Sequence, residues 1–565
     1  MDGIYLLVDG FAVLDDENAL NASRSDSEIQ RKHLVQLYKR EGVEFLRRLR
    51  GSFAIALWNP EQKQLILGAD PFGTRPLYFW CAKDKIVFAP RISWFAEIAE
   101  IPKTVDPNSV YFYINHSFIP APFTIYKDIR RLEPGQYLVW ANGQASIRQY
   151  WDMTYAEDGN LSEIAAASMV RSSVEESLRF FLQHESHKDG EVGAFLSGGT
   201  DSSTLLGLLT QIRAKPTKSF SVGFDEKGYN EIYYARVAGA HFNSLAHEYF
   251  VRPKEALEAI PVLAQAYDEP FGNSSAIPTY FCLKMARGAG VKVMFAGDGG
   301  DELFAGNERY LTEKVFSLYH QLPRWIRRCT DLSAAIVPAV YPLRKIKNYV
   351  RKANQPAAER FFSYQLYFQD HAEKFLTHEF RDSLDVEFPL QIPKRHYERM
   401  DDASPLNRLL YVDLKLAIAD NDLFKVNRMA ESQGIKVRYP YLDPHVGTAS
   451  GKIPGGMKIK GWNKRYIFKK AFGNLLPAEI LRKKKHGFGL PTGHWLKHDP
   501  GFRDLARSLL LDLRSVQRGY FKRSALEELL RLHDAESSSY YGAHIWNFMM
   551  LELWHRTHAD KATNP

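Results

Sequence analysis

The sequence predicts an α/β protein of two parts: an amino-terminal region of short antiparallel strands, then a doubly wound parallel sheet that continues into a helical extension. Three observations predict it. Residues 1 to 150 hold short alternating apolar runs, each bounded by turn residues. Beyond them, apolar runs alternate with helical patterns, as strands buried under crossover helices do. The chain also has 565 residues, too many for one hydrophobic core.

Taken in order, residues 27–49 place Ile29, Leu34, Leu37, Tyr38, Phe45 and Leu46 near helical spacing and predict a helix. Strands are predicted over 53–58, 64–68, 76–80 and 136–140. Polar residues 153–162 read as a linker, which divides the chain into domains 1–152 and 163–565. After residue 310 the pattern is mostly helical, and the apolar run 544–554 predicts a packed terminal helix.

The chemistry is concentrated in two loops. The apolar run Val192-Gly193-Ala194-Phe195-Leu196 reads as a buried strand. Ser197-Gly198-Gly199 then turns, and Asp201, Ser202 and Ser203 open a helix patterned by Leu205, Leu206, Leu208 and Leu209. A glycine turn feeding a helix N-terminus cradles phosphate, because backbone N–H groups and the positive end of the helix dipole face the anion. No Gly-Lys-Ser/Thr follows, so this is not a Walker A loop. Ser-Gly-Gly-x-Asp-Ser resembles the pyrophosphate loop of ligases that split ATP into AMP and pyrophosphate.

The run 291–306 repeats the design: an apolar strand, Ala296-Gly297, then Asp298-Gly299-Gly300-Asp301-Glu302. Carboxylates gathered at a strand end are costly unless a cation lies between them. The pair Asp201 and Asp301 suits Mg²⁺, which takes oxygen ligands and shares them with nucleotide phosphates.

Composition excludes several classes. Cys81, Cys282 and Cys329 are scattered, without disulfide or zinc spacing. The opening Met1-Asp2-Gly3-Ile4 lacks a basic start, so no secretory signal is read, and no apolar run is long enough to span a bilayer. A cytoplasmic enzyme is expected. The net charge of +8 raises the question of nucleic acid, with basic residues gathered at 324–328, 344–352 and 482–485. No recognition motif accompanies them, so solvated faces or contacts to a peptide or carrier partner are expected instead. His241 and His247 are isolated and read as structural.

With these residues in view, the chain resembles the class B asparagine synthetases and their relatives. Ser219–Phe224, Tyr229-Asn230-Glu231, Asp268-Glu269-Pro270-Phe271, Ser275–Thr279, the segments 420–428 and 437–443, and the glycine loop 485–491 all follow the family pattern, with drift across 310–400. The stretch 70–78, with Leu132–Gly135 and Tyr150–Asp152, resembles the family's amidotransferase domain. The resemblance implies a truncated α/β/β/α amidotransferase-like (Ntn hydrolase-like) domain. An ATP-pyrophosphatase domain of the adenine nucleotide alpha hydrolase-like kind follows it.

By the same resemblance, Asp201 and Asp301 hold Mg²⁺. Ser197, Gly198, Gly199, Ser202 and Ser203 cradle pyrophosphate, and Leu196, Val222, Ala296 and Gly297 wall the adenine of ATP. Asp298 stands where the family has a glutamate that orients or deprotonates the amine, and is one methylene shorter. A catalytic cation is expected near Gly461: the best register puts Arg465 there, with Lys464 beside it, and both remain candidates.

The first domain departs from the family. An active amidotransferase begins Met-Cys-Gly-Ile, and its cysteine attacks glutamine with its own α-amino group as base. Here the second residue is Asp2. Either Asp2 replaces the cysteine, or the sequence begins part-way through the domain; Leu7-Val8-Asp9-Gly10-Phe11 fits a later family strand and favours the second. Arg50 stands where the family places an acid before Gly-x-Phe-Ala. Glutamine hydrolysis is therefore expected to be absent. The expected reaction is amide formation through an acyl-adenylate, on a small-molecule or peptide carboxylate, with nitrogen from ammonia or a substrate amine.

Asparagine from ammonia is the simplest product. β-Lactam and carbapenam synthetases and the lasso peptide cyclases share this plan, and a cyclase would have a precursor peptide as partner. A tRNA-modifying lysidine synthetase uses the same loop, but no RNA motif is present. A scaffold pseudoenzyme would show damage at Asp201, Asp301 or the glycines, and none is seen.

Overall fold

The computed structural model describes residues 3–15, 27–184, 190–226, 228–323, 325–330, 349–362, 367–483, 490–535 and 540–560. Met1, Asp2, Arg324, the basic run 344–347, Lys484 and the glycine loop 485–489 lie outside the described residues.

The amino-terminal part contains two antiparallel sheets. The larger joins β1 (Tyr5–Leu14), β2 (Leu49–Asn59), β3 (Gln64–Ala69), β7 (Gln136–Ala141) and β8 (Gln144–Gln149) in the order β1-β2-β3-β7-β8. The smaller joins β4 (Tyr78–Cys81), β5 (Ile86–Ala89) and β6 (Arg130–Arg131). All four predicted strands are present. β2 starts four residues earlier than expected because β1 pairs with it along its whole length, from Tyr5↔Trp58 to Leu14↔Leu49.

The predicted helix 27–49 is an α-helix only over Ser27–Glu41. Gly42 adopts φ +59°, a left-handed stop that glycine tolerates, and a 3₁₀ turn Gly42–Arg48 leads into β2. Its Leu34, Leu37, Tyr38, Phe45 and Leu46 pack on Phe53, Ile55 and Leu57 of β2.

The second part is built on five parallel strands: β9 (Val192–Phe195), β10 (Lys218–Gly223), β11 (Leu245–Phe250), β12 (Val293–Phe295) and β13 (Lys436–Arg438). Their order is β11-β10-β9-β12-β13. The winding reverses at β9, which has β10 on one side and β12 on the other. In such sheets ligands bind outside the carboxyl ends of the strands at this switch point. The two loops singled out in the sequence follow β9 and β12, so they flank that crevice. Helices Glu163–His184, Thr200–Arg213, Ile232–His241 and Ala276–Gly288 bury leucine, phenylalanine and alanine in the core around the sheet. The terminal helix Tyr540–Trp554 packs with Trp546 and Trp554 buried. No helix among the described residues is long and apolar enough to cross a membrane, and the three cysteines are free.

Residues 153–162, read as a polar linker, run between the two parts and pack on the second. Glu157 accepts bonds from Ser404 N (2.9 Å), Asn407 Nδ2 (2.8 Å) and Gly455 N (3.1 Å), and Asp158 N donates to Lys452 O (2.9 Å). Met153 is buried.

The two parts also meet through buried polar contacts. Arg50 donates to Asp443 through Nε (2.8 Å) and Nη2 (3.2 Å), and Arg131 to Asp420 (2.7 Å). Arg91 donates to Asp268 (3.3 Å), and the Tyr78 hydroxyl to Glu269 (2.9 Å). Burial pushes the Glu269 carboxyl up to about 7 and that of Asp420 to about 6, against the pull of Arg131 on both.

Candidate active site

The phosphate-loop geometry follows from β9. Leu196 N donates to Phe220 O of β10 (2.9 Å), which holds the chain in the sheet until the turn begins. Gly198 then takes φ +66°, and a Cβ there would overlap the backbone of Tyr234 and Ala235, so only glycine fits. Gly199 caps helix Thr200–Arg213. Ser197 Oγ and Ser202 Oγ lie 3.1 Å apart, and Ser197 N reaches Ser202 Oγ at 3.3 Å, so the turn is closed on itself with Ser197, Gly199 and Asp201 half-buried at the rim. Ser203 is fully buried, and its amide donates to Gly199 O (3.1 Å).

The acid loop abuts this turn. A Cβ on Gly297 would stand 3.2 Å from Asp201 Cβ and 3.2 Å from Ser202 N; one on Gly300 would stand 2.5 Å from the Asp201 carboxyl. Gly299, at φ +91°, caps the short helix Gly300–Phe304, which carries Asp301 and Glu302. Leu196, Val222 and Ala296 are buried at the carboxyl ends of β9, β10 and β12, with Gly297 beside them.

Arg465 is drawn into the same place. Its guanidinium bonds both Asp201 and Asp301, with Nη2 to Asp201 Oδ2 at 2.5 Å. Lys464 points elsewhere, to Glu308. Of the two candidate cations, the structure therefore brings Arg465 to the acids and leaves Lys464 outside. The Asp201 and Asp301 carboxylates converge on one positive group, and that guanidinium stands in for a cation. Two oxygen donors are too few to hold a metal alone, and no group of three or more metal-ligating side chains occurs among the described residues. The pair fits Mg²⁺ when phosphate oxygens complete its shell.

Behind Asp298 lies a buried acidic pocket that the sequence did not reveal. Asp413 accepts bonds from Arg309 (3.1 Å) and from the Tyr310 hydroxyl (2.6 Å). Lys425 bonds Asp422 (2.6 Å), and Asn273 Nδ2 donates to Asn421 (2.9 Å). Asp422 ends a π-helical stretch, Leu414–Asp422, between helices Pro405–Asp413 and Leu423–Gln433; π-helical turns recur at functional sites. Burial, with Asp422 and Asp201 adding to it against Lys425, pushes the Asp298 carboxyl up to about 6. Burial and the neighbouring Asp413 and Asp422 hold Glu302 well above the usual carboxylate range. Four carboxyl groups gather here with two cations, Arg309 and Lys425. The only hint in the sequence is the i, i+3 spacing of Asp422 and Lys425.

Comparison with known proteins agrees with this geometry. The asparagine synthase family model matches residues 173–556, and the glutamine amidotransferase domain model matches residues 11–151. Asparagine synthetase [glutamine-hydrolyzing] 1 of Bacillus subtilis is 26% identical over 542 residues, covering 96% of this chain and 82% of that protein. A putative asparagine synthetase [glutamine-hydrolyzing] of Mycobacterium tuberculosis is 27% identical over 541 residues, covering 94% and 80%. Amidase chyE of Penicillium rubens is 23% identical over 519 residues, covering 83% and 73%.

Proposed function

The chain belongs to the asparagine synthase family, and from that premise we propose that it joins a carboxylate to an amine in an ATP-dependent reaction that releases AMP and pyrophosphate. The observation that carries this reading is the convergence of Asp201 and Asp301, from the loops after β9 and β12, on one cation at the switch point of the sheet.

In this reading the Ser197–Gly199 turn and the N-terminus of helix Thr200–Arg213 hold the departing pyrophosphate through N–H donors. Mg²⁺, when bound by Asp201 and Asp301, neutralises phosphate charge. The carboxylate substrate attacks the α-phosphate, and the acyl-adenylate so formed is consumed by the amine. Asp298, titrating near 6, is a carboxylate at neutral pH and accepts the proton of the attacking nitrogen. The carboxylates of Asp298 and Asp422 attract that nitrogen as a cation.

The nitrogen source in this reading is ammonia or an amine of the substrate. Its support is Arg50: where the family carries an acid, this chain has a guanidinium spent on Asp443 and, at 3.0 Å, Glu176. The test is direct. Purified protein given MgATP, ammonium and a panel of carboxylates headed by aspartate should release AMP and pyrophosphate, resolved by chromatography. ADP as the main product refutes the reading. With glutamine in place of ammonium no glutamate should appear, and its release would overturn the assignment of the nitrogen source.

A further inference from the structure

Arg465 raises a question that the reaction does not answer: its guanidinium lies where a divalent cation would have to sit. The side chain is 8% exposed, and those of Asp201 and Asp301 are 15% and 11% exposed. Two carboxylates this close and this buried cannot both ionise without a positive group between them. Arginine's planar fork can bond both at once, whereas a lysine would offer one point charge.

The surroundings are shaped to this ion pair. A Cβ on Gly306 would overlap both Asp301 Oδ1 and Arg465 Nε, and a Cβ on Gly300 would press on the Asp201 carboxyl, so the ion pair packs directly against both glycines. Arg465 itself adopts φ +54°, a left-handed conformation that disfavours a branched or long side chain.

The backbone that carries Arg465 is held by its neighbours. Lys460 and Asn463 exchange backbone bonds (3.2 and 2.9 Å), Lys314 Nζ donates to Gly461 O (2.9 Å), and Lys464 is tied to Glu308. Lys469 N donates to Arg465 O (2.8 Å), anchoring the next helix, Tyr466–Phe472. With the backbone held, any departure of the guanidinium from the acids requires rotation about its own side-chain bonds.

We propose that Arg465 is a resident counter-cation of the Asp201–Asp301 pair, which excludes free divalent metal until nucleotide arrives. ATP brings phosphate oxygens that complete the metal's shell and also give the displaced guanidinium an anion to bond. Metal and nucleotide then bind as a unit, and metal alone binds poorly. The inference rests on the reading that this pair receives the metal of an ATP-dependent reaction.

The experiment uses the full chain and variants R465M and R465K, with Mn²⁺ as the probe. Free Mn²⁺ is counted by electron paramagnetic resonance, and melting is followed with and without Mg²⁺. Wild type should bind Mn²⁺ weakly alone and tightly with ATP. R465M should melt lower without ligand, recover on adding Mg²⁺ alone, and bind Mn²⁺ without ATP on the order of tenfold or more tightly than wild type, as expected when a competing charge leaves a carboxylate pair. R465K, which keeps one charge, should fall between.

Equal Mn²⁺ affinity of wild type, R465K and R465M without ATP overturns the inference while leaving the ligase reading intact. Failure of wild type and both variants to bind Mn²⁺ even with ATP overturns the ligase reading, and the inference with it.

Discussion

Replacing Arg50 with methionine should cost about 3 kcal/mol, the low end of the range for breaking a buried ion pair from one side. The magnitude comes from the partners. Asp443 is 1% exposed and Arg50 6%, so removing the guanidinium leaves a carboxylate with no access to water. Two features hold the loss at the low end. Asp443 keeps its cap bond from His445 N (2.9 Å), and the His445 imidazole adds a positive charge to the same cluster. Arg50 also lies over the Phe180 ring at 4.2 Å, a contact that methionine replaces in part through its sulfur.

The assay is urea unfolding followed by tryptophan fluorescence, reading the first transition, because a chain of two parts need not unfold in one step. The double mutant R50M/D443N should recover most of the loss, with a coupling of about 2 kcal/mol or more between the two sites. A loss in R50M under about 1 kcal/mol, or a coupling near zero, would refute the claim that this pair clamps the two parts together.

Two further outcomes follow from the titrating groups. His445 bonds Asp15 (2.7 Å) and Glu176 (2.9 Å), and the bond to Asp15 raises its pKa to about 9. Its raised value means that its contribution is full below about 6.5 and is lost as pH rises toward 9; H445Q should remove that slope from a plot of melting temperature against pH. Burial holds the Glu302 carboxyl well above the usual carboxylate range. E302Q should therefore melt at or above wild type, with the difference growing as pH rises above about 4.5; a variant that is less stable than wild type at pH 8 would show that the carboxyl is ionised.

What could be read in the sequence was what glycine and chain order enforce. Gly198 and Gly299 each occupy a place where a side chain has no room, so the two loops were visible as motifs, and the alternation of strands and helices located them at the ends of β9 and β12. Helix Pro107–His116 was not read, because every residue from Ser109 to His116 is buried and a helix covered on all sides has no amphipathic period. Its Asp106-Pro107 start, with Asp106 accepting from Asn108 N at 3.2 Å, was the available signal. The acidic pocket was hidden for a different reason: Glu302, Asp413 and Asp422 come from three separate elements that only the fold assembles. Arg50 was noticed for the acid it replaces; its partner lies 393 positions away, beyond any local pattern.

That separation has a consequence for how the protein is made. Ribosomes add about 5–20 residues per second, so Asp443 emerges roughly 20–80 s after Arg50. Arg131 waits for Asp420 across 289 further positions. During that interval the first part can form its sheets, which are local in sequence, but the guanidinium groups of its docking face still lack their carboxyl-terminal carboxylates. Its final burial is set by the arrival of the carboxyl-terminal third of the chain. Until then, Arg50 has only the more exposed Asp15 and Glu176 within reach, and Arg131 the Ile119 carbonyl.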